Sequence, residues 1–116
     1  MYFNTQSQLK TYNSFSLNAK AKAIYSASSV EELLKLWKDA QLKEWPILLL
    51  GEGSNVLFIS DFDGLVILNR ITSMAITESS QEWLIHVGGG NNWHQLVKKL
   101  IQNGIYGLEN MALIPG

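Results

Sequence analysis

Pro46 opens a run of four apolar residues, Ile47-Leu48-Leu49-Leu50, and Gly51 closes it. A continuous apolar stretch between two breakers predicts a strand buried on both faces, as in parallel sheets. The residues ahead of it supply the crossover that parallel pairing needs. Ser29 precedes Glu32 by three positions, the spacing at which hydroxyl and carboxylate satisfy orphan backbone donors at a helix start. A helix is predicted from there to about Lys43. Its apolar face is read as Val30, Leu33, Leu34, Trp37 and Ala40, with Glu31, Lys35, Lys38 and Asp39 elsewhere. Ile24 and Tyr25 start a short strand before the helix, so strand, helix and strand form a βαβ unit with parallel strands.

Residues 1–22 are polar and weakly periodic apart from Phe15 and Leu17, and read as an arm laid over other structure. Beyond Gly51-Glu52-Gly53-Ser54-Asn55, a strand is predicted over Val56 to Ile59, a turn over Ser60 to Gly64, and a strand over Leu65 to Leu68. Asp63-Gly64 marks the tight reversal between those strands. Met74 to Thr77 and Glu82 to Val87 read as two more strands joined by the polar Glu78 to Gln81. Alternation sets Trp83, Ile85 and Val87 toward a core. Gly88-Gly89-Gly90 breaks the last strand. Asn91 or Asn92 caps a second helix carrying Trp93, Leu96, Val97, Leu100 and Ile101 on one face, and Gly104 closes it. From Ile105 the pattern dissolves into the apolar Met111 to Pro115-Gly116, and the expectation is that this segment turns into further structure.

Composition narrows the chemistry. With 47% hydrophobic residues in 116, an ordinary core can form without staples, which matters because the chain has no Cys. That absence removes disulfides, thiolate zinc sites, iron–sulfur clusters and Cys nucleophiles, and makes a cytoplasmic location the expectation. A net charge of -1 provides no field for nucleic acid or an anionic membrane, so neither is an expected partner. Met1 to Lys10 lacks a secretory signal pattern. Apolar runs such as Val56 to Ile59 fall far short of the roughly 18 residues a membrane span needs, and a soluble chain is expected.

The sharpest local feature is Gly51-Glu52-Gly53-Ser54-Asn55, directly after the apolar strand. Two glycines a residue apart let backbone amides converge on a diphosphate, and Ser54 and Asn55 add side-chain donors. Four or five such bonds, each worth about 1.5 to 3 kcal/mol to a charged phosphate, hold a diphosphate without a Lys. Glu52 suits that role only through its amide, with its side chain turned away. The spacing is neither that of a Walker A loop nor of a Rossmann fingerprint, where Val56 would be Gly. A tight strand-to-strand turn explains the same residues, and spacing alone leaves both readings open. Gly88 to Gly90 reads as a corner that lets the following helix pack closely, in preference to an anion site. Arg70, the only Arg, is available for a carboxylate or phosphate but better fits a surface ion pair. His86 and His94 lack the i, i+4 spacing of a helical metal site, no metal is expected, and no Ser-His-Asp arrangement is suggested. Trp37 and Trp83 are read as core residues.

With its flanks, Pro46-Ile47-Leu48-Leu49-Leu50-Gly51-Glu52-Gly53-Ser54-Asn55-Val56-Leu57 resembles the flavin diphosphate loop of the UDP-N-acetylenolpyruvoylglucosamine reductase (MurB) family of peptidoglycan synthesis. Asn13-Ser14-Phe15 is similar to that family's Asn-Thr-Phe element, and Leu68-Asn69-Arg70-Ile71 to a strand end. His86 through His94 and Gly107 through Gly116 resemble its next two signatures, in order. Ser16, where the family often has Gly, is a small departure. The resemblance implies an α+β fold of the vanillyl-alcohol oxidase (PCMH) type, truncated, in which two subdomains clasp FAD. Residues 1–70 would form the first subdomain, with its βαβ unit, and 71–116 the start of the second. It implies that Gly51, Glu52, Gly53, Ser54 and Asn55 bind the FAD diphosphate and that Ile114, Pro115 and Gly116 begin the loop lining the flavin. It further implies NADPH as hydride donor and UDP-N-acetylglucosamine enolpyruvate as substrate. The family's catalytic serine, arginine and glutamate would lie beyond Gly116, so Arg70 is not the catalytic arginine and no residue here is expected to be catalytic. A chain cut at Gly116 is expected to bind FAD weakly or not at all, to lack activity, and to self-associate through its 71–116 half.

Overall fold

The computed structural model describes residues 7–8, 19–52 and 60–111. The elements are β1 (Ser7–Gln8), β2 (Lys20–Ala27), α1 (Val30–Leu42), β3 (Ile47–Leu50), β4 (Phe62–Asn69), β5 (Met74–Glu78), β6 (Trp83–Val87) and α2 (Trp93–Gln102), followed by a 3-10 turn at Glu109–Met111. They form two sheets. The first has the order β1-β2-β4-β3, and the second is the β5-β6 pair. The α+β class expected from the sequence is what is found. Among the described residues no helix is long and apolar enough to cross a membrane.

In the first sheet β2, β4 and β3 run parallel, and β1 pairs antiparallel with the start of β2. The crossover through α1 is present, but β4 lies between the two strands it joins. This corrects the reading of Ile47 to Leu50 as the strand buried on both faces. Leu65, Val66, Ile67 and Leu68 of β4 are all buried, whereas β3 lies outside β4 in the strand order and leaves Leu49 45% exposed. Both runs are apolar tetrapeptides, and composition does not say which one a later strand displaces toward the edge. Each buried aliphatic side chain of β4 contributes about 1.5 to 3 kcal/mol, so the core is centred there.

A second correction concerns Asp63-Gly64, which lies within β4 rather than at a reversal. A Cβ on Gly64 would run into the carbonyl oxygen of Pro46 and lie 2.9 Å from its carbon. Leu65 donates its N–H to that same carbonyl at 2.9 Å. The glycine therefore permits strand contact with the entry to β3 instead of a turn. The predicted strand at Val56 to Ile59 lies outside the described residues.

β2 begins at Lys20, earlier than the strand expected at Ile24, because Ala19, Ala21 and Ala23 are buried despite the polar look of that segment. Alanine alternating with Lys gives a strand whose small side chains allow the neighbouring layers to approach. On its other side, α1 is capped as expected, with Ser29 Oγ accepting from Glu32 N at 3.2 Å. The Glu32 carboxylate takes the Ser28 N–H at 3.0 Å, one residue earlier than the usual reciprocal pairing. The helix's buried face is Leu36 and Ala40 with Leu33 beside them. Val30, Leu34 and Trp37, expected on that face, are exposed. An apolar arc this wide fits two helix orientations, and contact with Ala23, Ala27, Leu65 and Ile67 selects the one with Leu36 inward.

The β5-β6 hairpin pairs Met74 with Val87 and Glu78 with Trp83. Ile85 and Val87 pack with Met74 against Leu96, Leu100 and Ile105 of the α2 layer. Trp83, expected in that core, sits at the hairpin's turn end and is 44% exposed. Asn92 is the cap of α2, its Oδ1 accepting from Gln95 N at 2.9 Å, and Gly104 follows the helix at a φ of 73°.

Candidate functional site at the carboxyl ends of the parallel strands

In open α/β sheets ligands collect outside the carboxyl ends of the strands, where loops diverge and backbone groups are unpaired. Here the register aligns Leu50 of β3 with Leu68 of β4, so Gly51 emerges beside Asn69. Arg70, one residue further on, donates from Nη1 to the Gly51 carbonyl at 3.0 Å and to the Asn69 carbonyl at 3.1 Å. Its guanidinium thus sits at the mouth of the loop rather than in the surface ion pair expected for it. β3 and β4 pair in parallel, and the Val56 to Ile59 strand that a tight turn at the glycines would join to β3 lies outside the described residues.

Glu52 reaches with its side chain to the start of α2. Asn92 Nδ2 donates to both carboxylate oxygens, at 2.9 and 3.0 Å. The same Asn92 side chain caps α2 through its oxygen, so one amide joins the loop after β3 to the helix start beyond β6.

The triple glycine explains how these two parts come so close. An added Cβ on Gly90 would lie 2.5 Å from Ile71 N and 2.6 Å from Arg70 C and Cα, and one on Gly88 would strike the Ile71 carbonyl. Gly88 N–H donates to Ser73 O at 2.7 Å and Gly90 N–H to Ile71 O at 2.8 Å. Gly88 to Gly90 is therefore a packing corner, as the sequence reading preferred, laid directly on the connection leaving β4. Asn69 Oδ1 stiffens that connection by accepting from Ile71 N at 3.1 Å.

The start of α2 also holds the 3-10 turn at Glu109–Met111. Trp93 Nε1 donates to the Met111 carbonyl at 2.7 Å, and the Glu109 carboxylate accepts the Gly107 N–H at 2.6 Å. That backbone donor holds the Glu109 carboxyl below the ordinary glutamate range.

Of the residues expected to contact the cofactor, Gly51 and Glu52 stand at this site. Gly53, Ser54, Asn55, Ile114, Pro115 and Gly116 lie outside the described residues, as does Asn13-Ser14-Phe15. Sequence reasoning missed the grip of Arg70 on Gly51 and the Asn92 to Glu52 contact. Neither pair has a local spacing signal, since 19 and 40 residues separate the partners. At the opposite end of the sheet a cavity is lined by Lys20, Lys22, Trp45, Asp61 and Asp63. Lys22 pairs there with Asp63 at 3.3 Å and lies over the Trp45 ring, so its charge is already engaged. Among the described residues no group of three or more His, Asp or Glu is placed to hold a metal.

Residues 21–116 match the FAD binding domain family. The chain is 55% identical over 113 residues to UDP-N-acetylenolpyruvoylglucosamine reductase of Yersinia pestis, an alignment covering 97% of this chain and 33% of the relative. It is 54% identical over 108 residues to the reductase of the same name from Photorhabdus laumondii, covering 93% and 32%. The chain thus spans about a third of the length of the curated relatives it matches. Among solved structures, MurB from Thermus caldophilus superimposes with a TM-score of 0.63 at 23% identity, over 98% of this chain and 39% of that one. At that identity the likeness establishes the fold.

Proposed function

Because the chain belongs to the FAD-binding domain family, we propose that it is the N-terminal, FAD-binding part of a UDP-N-acetylenolpyruvoylglucosamine reductase. Residues 1–70 are read as one FAD-binding subdomain and 71–116 as the start of a second. The relatives' name and the 55% identity support the reading. The observation that carries it is the arrangement of Gly51, Glu52 and Arg70. The one carboxylate in the loop is turned onto Asn92, the neighbouring cation lies at the loop's mouth, and a Cβ on Gly51 would meet no described atom within 4 Å. This combination favours a diphosphate: positive charge nearby, negative charge engaged elsewhere, and backbone open to approach.

In this reading Gly51 to Asn55 bind the diphosphate, chiefly through backbone N–H groups, with Ser54 and Asn55 adding side-chain donors. Ile114, Pro115 and Gly116 begin the segment against the flavin. Arg70 shapes the loop by fixing the Gly51 carbonyl, so that this acceptor is directed away from the phosphates. FAD, when bound, supplies two-electron transfer between NADPH and the enolpyruvyl group of UDP-N-acetylglucosamine enolpyruvate, giving UDP-N-acetylmuramate for the cell wall, in the cytoplasm. This chain's residues bind and orient, and none of them moves a proton in that reaction.

The chain by itself is expected to lack reductase activity and to self-associate through its 71–116 half. Support comes from the exposure of Trp83, Leu84 and Tyr106, at 44, 66 and 71%, near the β5-β6 pair. A reductase-length protein carrying these residues should oxidise NADPH only when the enolpyruvyl substrate is present, and the 116-residue chain should not. Substrate-independent turnover by the long protein, or substrate-dependent turnover by the short one, would contradict the assignment.

A further inference from the structure

We propose that Glu52 and Asn92 are positioning residues that form a latch, setting FAD affinity by tying the diphosphate loop to the start of α2. The inference rests on the flavin reading and goes beyond it, because neither side chain is assigned to the cofactor. Asn92 Nδ2 meets both Glu52 oxygens at 2.9 and 3.0 Å, while Asn92 Oδ1 holds Gln95 N at 2.9 Å. Both the donor and the acceptor end of one half-buried amide are thereby engaged, one on the loop after β3 and the other on the start of α2. The loop follows a strand of the first sheet, and the cap follows the glycine corner that packs on Arg70 and Ile71. Two consequences follow. The carboxylate that would repel a diphosphate is engaged on Asn92, and Glu52 moves only if the α2 corner moves with it.

The pair can be reversed without changing its atom count or charge. Asn92→Asp keeps the helix cap, since Asp caps as well as Asn, but sets carboxylate against carboxylate at Glu52. Adding Glu52→Gln restores a donor facing an acceptor with the polarity exchanged. FAD titrated into a reductase-length protein and followed by flavin fluorescence should bind at least about tenfold more weakly to Asn92→Asp, a charge-assisted bond being lost. The double variant Asn92→Asp/Glu52→Gln should return to within about threefold of the parent, as paired residues couple in a double-mutant cycle. In parallel, amide hydrogen exchange at Gly51 and Glu52 in the FAD-free protein should rise in Asn92→Asp and fall again in the double variant. Unchanged FAD affinity in Asn92→Asp, failure of the double variant to recover, or exchange that ignores both substitutions overturns the latch. If the parent takes up no FAD while exchange still follows the pair, the flavin reading fails and the claim on affinity falls with it, while the tie between Glu52 and the start of α2 stands.

Discussion

Replacing Gly90 by Ala tests whether the triple glycine is a packing corner. The new Cβ would start 2.5 Å from Ile71 N and 2.6 Å from Arg70 C and Cα, all backbone atoms with no rotamer to yield. Ordinary carbon contacts begin near 3.5 Å, so the corner must retreat by about 1 Å. Two backbone bonds span that gap, Gly90 N–H to Ile71 O at 2.8 Å and Gly88 N–H to Ser73 O at 2.7 Å. A 1 Å retreat takes both beyond the useful range, at about 1 kcal/mol each. Residual overpacking adds about 1 to 3 kcal/mol. The expected destabilisation is therefore about 3 to 5 kcal/mol, a large part of the roughly 5 to 15 kcal/mol that holds a domain folded. Urea unfolding followed by tryptophan fluorescence measures it, with Gly51→Ala as the control, since a Cβ there meets no described atom within 4 Å. A Gly90→Ala protein within about 0.5 kcal/mol of the parent, the range of an ordinary surface change, would refute the close-approach argument and return these glycines to the anion-site reading.

Ile67→Ala should cost about 2 to 5 kcal/mol by the same unfolding measurement, because Ile67 is fully buried in the central strand between β2 and β3. Glu44→Gly should stabilise the chain by about 0.5 to 1 kcal/mol, since Glu44 follows α1 at a φ of 57°, where a side chain is strained and Gly is not. The Gly107 amide resonance should titrate with a midpoint below that of an ordinary glutamate. Its bond to Glu109 stabilises the ionised carboxylate, so it is present above the unfolded-state value and lost as pH falls through the lowered folded one.

The elements whose signals are local were legible in the sequence. The Ser29 and Asn92 caps, the close of α2 at Gly104 and the β5-β6 hairpin all depend on residues within a few positions of one another. The central strand was not legible, because Ile47 to Leu50 and Leu65 to Leu68 are chemically equivalent runs and their order in the sheet depends on where β4 inserts. The inward face of α1 was missed for a related reason. Val30, Leu34 and Trp37 continue the apolar arc of Leu33, Leu36 and Ala40, and only the sheet surface decides which part is covered. At the site, the glycine loop was visible as a pattern, but Arg70 on Gly51 and Asn92 on Glu52 come from the folding of distant segments.

The most direct test of the central claim, that the segment after β3 is a diphosphate cradle, compares FAD with riboflavin, which carries the same ring system without the diphosphate or the adenosine, and reads the diphosphate's share from Gly53→Val. In a reductase-length protein FAD should bind at least about a hundredfold more tightly, because several charge-assisted bonds, each worth about 1.5 to 3 kcal/mol, exist only with the diphosphate. Gly53→Val, which fills the space the phosphates require, should reduce FAD binding to the riboflavin level. Equal affinity for the two flavins, or a yellow, FAD-loaded Gly53→Val protein, would contradict it.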